Sequence, residues 1–167
     1  MLAVYTDGAS SPATKRRPAV GGWAWWVADD RYRIGNASPA TSNRMELQAV
    51  IDAMTQLTKA AKRNDGLIIY TDSLYVVNCF AEEWYVRWRK NDWKKVIDLA
   101  VVEVKNRDLW EKLLAIHEAY QKNEVPVSFR HIRGHGLDPN ADPVHVFGND
   151  KADKLAVQAK RMLMNGS

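Results

Sequence analysis

Two short segments of this chain repeat one another, Tyr5-Thr6-Asp7 and Tyr70-Thr71-Asp72. Each follows an apolar run of strand type, so each aspartate falls at the carboxyl end of a strand, where open α/β sheets place their ligands. Alternation puts each Asp on the face of the Tyr two residues before it. An aspartate in that place also starts turns and caps helices, and it is the duplication that brings two acids to one sheet edge. Glu46 is a third acid of interest. Its spacing to Val50 and Ala53 sets it on the apolar side of a helix, where an unpaired carboxylate is costly, although a helix N-terminus also favours a carboxylate through its macrodipole. On the last helix Asp153 borders the apolar face, three residues before Ala156, while Asp150 turns to solvent. Were Asp7, Glu46, Asp72 and Asp153 to converge, each pair at ~4 Å would repel by about 4 kcal/mol at an effective dielectric near 20. Arg or Lys could neutralise such a cluster. Oxygen-only ligation with carboxylates to spare is also how a protein holds Mg²⁺ or Mn²⁺ while leaving positions for water and phosphate. That chemistry suits phosphodiester hydrolysis, with two ions about 4 Å apart, one activating water and one stabilising the leaving oxygen.

The elements that must position these acids follow from periodicity. Leu2 to Thr6 reads as a strand, followed by a polar loop from Asp7 to Val20 that carries Lys15-Arg16-Arg17. Trp23 to Ala28 and Tyr32 to Ala37 read as strands joined by the Asp29-Asp30 turn. Thr41-Ser42-Asn43 supplies capping residues for a helix whose apolar positions are Val50, Ala53, Met54, Leu57 and Ala61. Leu67 to Tyr70 is a buried-type strand and Ser73 to Phe80 a short helix. Arg107 to Gln121 is an amphipathic helix, and Val125 to Ile132 a strand. A loop from Arg133 to Phe147 leads to a final helix, Asn149 to Met164. The expected fold is a single α/β domain: a five-stranded mixed sheet, with an antiparallel meander of three strands and then parallel strands, flanked by helices.

Composition bounds the function classes. The 167 residues are 46% hydrophobic, 26% charged and 10% aromatic, which excludes disorder, collagen and coiled coil as whole-chain readings. No apolar run approaches the roughly 18 residues of a membrane span, and Met1 to Tyr5 lacks the basic flank of a leader. The single Cys79 forbids an internal disulfide, and a cytoplasmic, reducing compartment is expected. Net charge is +4, and the segment from Arg87 to Lys95 accounts for all of it: Arg87, Arg89, Lys90, Lys94 and Lys95 stand against Asp92 alone, and the remainder is balanced at 19 cations and 19 anions. Trp84, Trp88 and Trp93 interleave with these cations. A basic strip with aromatics suits a nucleic-acid backbone, and the i, i+4 spacing of Trp84 and Trp88 also suits mutual packing.

These residues carry a resemblance to the type 1 ribonuclease H family over nearly the whole chain. The matching motifs are Thr6-Asp7-Gly8, Gly21-Gly22, Thr41-Ser42-Asn43-Arg44-Met45-Glu46-Leu47, Thr71-Asp72-Ser73 with Tyr75-Val76, Asn106-Arg107-Asp108-Leu109-Trp110, Arg133-Gly134-His135, and Asn149 with Asp153, Leu155 and Ala156. The resemblance implies a ribonuclease H-like fold and a metal-dependent endonuclease that cuts the RNA strand of RNA/DNA hybrids. It implies Asp7, Glu46, Asp72 and Asp153 as the ligands of two Mg²⁺ ions, with Mn²⁺ as a substitute, and His135 as the residue assisting proton transfer or product release. Thr41 is similar to the family's contact with a DNA-strand phosphate and Asn43 to its minor-groove contact with RNA. Gly8, Ser42 and Asn149 join them in the substrate-binding set. Residues 82–98 resemble the family's basic protrusion, with Trp84, Trp88, Arg89, Lys90, Trp93, Lys94 and Lys95 facing the hybrid.

Three departures bear on the transfer. The loop after Asp7 lacks a glycine-rich stretch, Leu74 stands where a polar residue is common, and the segment from His135 to Asp153 is long, with Asp138, Asp142 and His145 inserted. His117 and His131 read as structural, and His145 falls in the loop, where the reading as a spare base is the disfavoured alternative. The first catalytic strand begins at Leu2, so no N-terminal hybrid-binding domain is expected, and a monomer is the default. The competing class is a non-catalytic nucleic-acid-binding module of the same fold, against which the complete acid quartet argues.

Overall fold

The computed structural model describes residues 1–133 and 139–165. Five strands form one mixed sheet in the order β3-β2-β1-β4-β7. β1 (Leu2–Ser11), β2 (Val20–Trp26) and β3 (Tyr32–Ala37) are an antiparallel meander. β4 (Leu67–Thr71) then runs parallel to β1, and β7 (Val127–His131) parallel to β4. Helices occupy both faces. On one, Val4, Leu67 and Ile69 pack into a large core with α1 (Ser42–Gln56), α3 (Leu74–Ala81) and α5 (Arg107–Lys122). On the other, Tyr5 and Trp26 meet Ala152 of the long helix α6 (Pro143–Asn165), in a smaller cluster. Alternation along β1 therefore sends Val4 to one layer and Tyr5 to the other.

Four details differ from the sequence reading. The expected loop from Asp7 to Val20 is shorter, because β1 continues to Ser11 and pairs residue for residue with Val20 to Ala24. The expected helix through Ala61 breaks at Leu57 and resumes as α2 (Thr58–Arg63). At the break the Met54 carbonyl accepts from the Tyr120 and Thr58 hydroxyls, at 2.6 and 2.9 Å, which diverts it from the helical ladder. The final helix starts at Pro143 rather than Asn149, with Asp142 Oδ1 accepting from the Val144 N–H at 2.9 Å. An aspartate followed by proline is a helix start, since proline fills the first helical position without leaving an unsatisfied N–H.

The fourth difference concerns the basic segment. It folds as α4 (Trp84–Lys90) and then a hairpin, β5 (Lys94–Ile97) with β6 (Ala100–Glu103). The connecting residues Asp98 and Leu99 both have positive φ, as a two-residue hairpin turn requires. The hairpin is anchored at its base, where the Val104 N–H donates to the Trp93 carbonyl at 2.8 Å and both side chains are buried. Its tip stands in solvent, with Leu99 100% exposed.

Candidate active site

Three carboxylates converge where β4 ends beside the middle of β1: Asp72 follows the last residue of β4, whereas Asp7, expected at a strand end, lies within β1, which pairs with β2 as far as Ser11. Ligand oxygens of Asp7, Glu46 and Asp72 all lie within 4.8 Å of one another. The parallel register pairs Tyr5 with Tyr70, so the two aspartates follow at equivalent places on neighbouring strands. Glu46 arrives from the second turn of α1. That helix starts where it does because the Thr41 hydroxyl accepts from the Arg44 N–H at 3.2 Å. The start is also tied to α5 by a two-pronged ion pair between Arg44 and Asp108, at 2.8 and 2.9 Å, which holds the Asp108 carboxyl down at about 2.

The environment of these acids is unusual for carboxylates. Asp7 is 4% exposed and Glu46 7%. Burial, and next the charge of Asp72, push Asp7 up to about 8. Burial, and next the Asp7 charge, hold Glu46 well above the usual carboxylate range. Asp7 is close enough to Glu46 and Asp153 for both to influence its titration, and its Oδ1 accepts from the Gly8 N–H at 2.8 Å. The Thr71 hydroxyl donates to Glu46 Oε2 at 3.5 Å. Asp153, the fourth expected acid, lies beside Asp7 on α6, half-buried at the margin of the helix's packed face and outside the group of three whose oxygens lie within 4.8 Å of one another. Asp150 is paired with Lys154 at 2.9 Å at the surface. Close, buried carboxylates repel and desolvate one another, and a divalent cation held by hard oxygen donors relieves both costs.

The remaining site residues fall into two groups. Around the acids, Gly8 lies in β1, while Thr41, Ser42 and Asn43 are exposed at the head of α1. Ser42 Oγ is 2.7 Å from Ser10 Oγ. Asn149 is 6% exposed, one turn before Asp153, and its Oδ1 has no hydrogen-bond partner among the described residues. His135 lies outside the described residues. In the protrusion, Trp88 is the hub of three ring contacts, with Trp84 at 6.1 Å, Trp93 at 5.6 Å and the buried Trp110 at 5.6 Å. Trp93 is 6% exposed and lies under the Arg107 guanidinium, so it faces the core rather than solvent. Arg89 is paired with Glu118 at 2.6 Å, whereas Arg87, Lys90, Lys94 and Lys95 are exposed.

His145 is placed differently from the sequence reading. It lies in the first turn of α6, not in a loop, and its Nδ1 is 2.8 Å from the Tyr5 hydroxyl. The Asp142-Pro143 start signal is the sequence feature that locates it. Tyr75 and Asn106, both among the motif residues, prove to be architectural. The Tyr75 hydroxyl accepts from Asn106 Nδ2 at 3.2 Å and from Trp110 Nε1 at 2.8 Å, joining α3 to α5.

Comparison with known proteins agrees with this arrangement. Residues 1–161 match the RNase H family model. A ribonuclease H of Chlorobium luteolum is 37% identical over 161 residues, covering 95% of this chain and 94% of that protein. One from Francisella tularensis subsp. novicida is 37% identical over 158 residues, covering 93% and 88%. Among solved structures, LC9-RNase H1, a type 1 RNase H with the type 2 active-site motif, superposes with a TM-score of 0.67 at 25% identity, covering 96% of this chain and 72% of that one. The prototype foamy virus RNase H domain shares the fold at 23% identity, with a TM-score of 0.65 and coverage of 96% and 94%. A sheet that brings aspartates of two neighbouring strands against a helix-borne glutamate, in a sequence with these relatives, has one consistent account: the chain belongs to the ribonuclease H family.

Proposed function

We propose that this chain is a metal-dependent endonuclease that hydrolyses the RNA strand of RNA/DNA hybrids, leaving 5′-phosphate and 3′-hydroxyl ends. The observation that carries the reading is the convergence of Asp7, Glu46 and Asp72 within 4.8 Å, in a chain whose relatives are named ribonuclease H. The donor set suits Mg²⁺, with Mn²⁺ as a substitute: every ligand is a carboxylate oxygen, and Asp7 and Glu46 are buried. Asp7, Glu46 and Asp72, with Asp153 beside Asp7, are the residues that would hold the cations. Bound as a pair, such cations lower the pKa of an attacking water and stabilise charge on the departing oxygen.

The chain's own residues supply position and selectivity. Glu46 and Asp7 are fixed by Thr71 and Gly8, so the carboxylates need little reorganisation at the moment of reaction. His135 takes the proton-transfer or product-release role. Thr41, Ser42 and Asn43, exposed at the head of the helix that carries Glu46, meet the wide minor groove, where 2′-hydroxyls distinguish RNA from DNA without reading sequence. In the protrusion, Arg87 and Lys90 on α4 and Lys94 and Lys95 on β5 grip phosphates, and the tryptophans brace the helix and the base of the hairpin that present them.

Strand-labelled RNA/DNA hybrid, duplex RNA and duplex DNA of one sequence separate this reading from its competitors. Cleavage of the hybrid's RNA strand alone is expected. Binding without cleavage of any of the three would move the function to a non-catalytic module, and cleavage of duplex DNA to a DNA nuclease.

A further inference from the structure

Asp153 reaches Asp7 from α6, yet the buried stripe of that helix is made of small residues, Gly148, Ala152, Ala156 and Ala159, beside Asn149. Such a stripe brings helix and sheet close, and the large side chains beside it, the partly buried Leu155 and the exposed Phe147, share the fixing of register with polar contacts. Among the described residues, a hydrogen bond near each end ties the helix down. Near its C-terminal end Asn36 Nδ2 donates to the Ala159 carbonyl at 3.0 Å. At its head His145 Nδ1 and the Tyr5 hydroxyl share a hydrogen bond of 2.8 Å.

His145 makes a second contact. Its ring centroid is 4.3 Å from that of Tyr70, and the Tyr5 and Tyr70 rings stack at 5.1 Å with a 15° interplanar angle. These are the tyrosines two residues before Asp7 and Asp72, and they are register partners across β1 and β4. One imidazole therefore touches both strands that carry the aspartates. Asp153 follows it by eight residues on the same helix, about 12 Å along the axis at 1.5 Å per residue. Gly148 permits the approach, since a Cβ there would stand 2.5 Å from the Tyr5 ring. Trp26 and Phe147 add an edge-on contact at 5.5 Å beside it.

We infer that His145 is a positioning residue, which sets the register of α6 on β1 and β4 and thereby the placement of Asp153 against the Asp7 and Asp72 pair. It acts through Tyr5 and Tyr70 rather than on the scissile phosphate. The inference rests on the hydrolytic reading above.

The test compares wild type, His145→Ala, His145→Asn, Tyr5→Phe and the Tyr5→Phe/His145→Ala double variant. Mn²⁺ affinity is read by electron paramagnetic resonance without substrate, and kcat and KM on a hybrid are read separately. His145→Ala should weaken Mn²⁺ binding and lower kcat by about 10- to 100-fold, the scale seen when support to metal ligands is removed, with KM unchanged. His145→Asn, whose amide nitrogen can stand near the Nδ1 position, should recover most of the loss. The double variant should lose no more than His145→Ala alone, because both changes break the same hydrogen bond. Wild-type Mn²⁺ affinity and kcat in His145→Ala overturn the inference, and so does an equal loss in the Ala and Asn variants. Should His145→Ala fail to fold by circular dichroism, Tyr5→Phe decides, and wild-type behaviour there overturns it. A wild-type chain inert on hybrids would instead contradict the hydrolytic reading, while the Mn²⁺ comparison still judges the role of His145.

Discussion

A Cβ on Gly8 would stand 2.5 Å from the backbone nitrogen of Glu46, so β1 and α1 touch backbone to backbone where two of the site's acids meet. The next nearest atom is the Met45 carbonyl carbon, at 2.6 Å, and neither can yield as a flexible side chain would. Gly8→Ala is therefore expected to push α1 outward, at a cost of about 1–3 kcal/mol from overpacking. A lowered Tm and a raised Mg²⁺ requirement for cleavage would record the two consequences. Wild-type values of both would contradict the close backbone approach.

The buried acids give the metal-free chain a characteristic pH dependence. Folded, Asp7 titrates at about 8, raised by burial and the Asp72 charge, and Glu46 lies well above its ordinary value. Unfolded, both titrate near ~4. A folded pKa above the unfolded one means that the native state keeps protons the unfolded state has released. Its stabilising contribution is complete below about pH 4 and is lost as pH rises through about 8. In EDTA the Tm should fall between about pH 5 and about pH 8.5, and Asp7→Asn should remove most of that fall. Mg²⁺ should raise the wild-type Tm most at the alkaline end. Thermal melts with and without chelator check this, and an identical pH slope in wild type and Asp7→Asn would contradict it.

The protrusion separates scaffold from grip. Trp93→Ala removes a buried ring that packs on Trp88 and should cost about 3–5 kcal/mol of stability. Lys94→Ala and Lys95→Ala alter exposed side chains and should leave the Tm almost unchanged. Each should flatten the slope of log binding constant against log salt by roughly 0.9 for every phosphate left without its cation, taking the duplex value. Denaturation curves and salt titrations of hybrid binding read the two effects. Lysine variants that lose stability while keeping the wild-type salt slope would reverse the assignment.

Much of this organisation is legible in the residues. Tyr-Thr-Asp on two strands, and Glu46 on the apolar side of a capped helix, are enough to bring three acids together, because strand parity and helix spacing are local rules, although Asp7 lies within its strand and only Asp72 at a strand end. β3 occupies the range that its alternation predicts. What escapes depends on partners distant in sequence. Asp7 to Ser11 looks like a loop until Val20 to Ala24 pairs with it, since Gly, Ala and Ser have little strand preference of their own. The break at Leu57 needs the Tyr120 hydroxyl, 66 residues beyond Met54. Trp93 reads as a surface aromatic among cations, and only the fold brings Trp88 and Trp110 together beside it. The β5–β6 hairpin does carry a local signal, two apolar runs around Asp98-Leu99, that the neighbouring charges obscure.

The central claim is that the acid cluster is a catalytic metal site, and one assay addresses it most directly. A hybrid labelled separately on its RNA and DNA strands is incubated with wild type and Asp72→Asn, in Mg²⁺, in Mn²⁺ and in EDTA, with hybrid binding measured in parallel. Cleavage of the RNA strand only, by wild type only and only with metal, is the predicted result, with binding retained in the variant. Equal cleavage by wild type and Asp72→Asn, or cleavage by wild type in EDTA, would contradict the account.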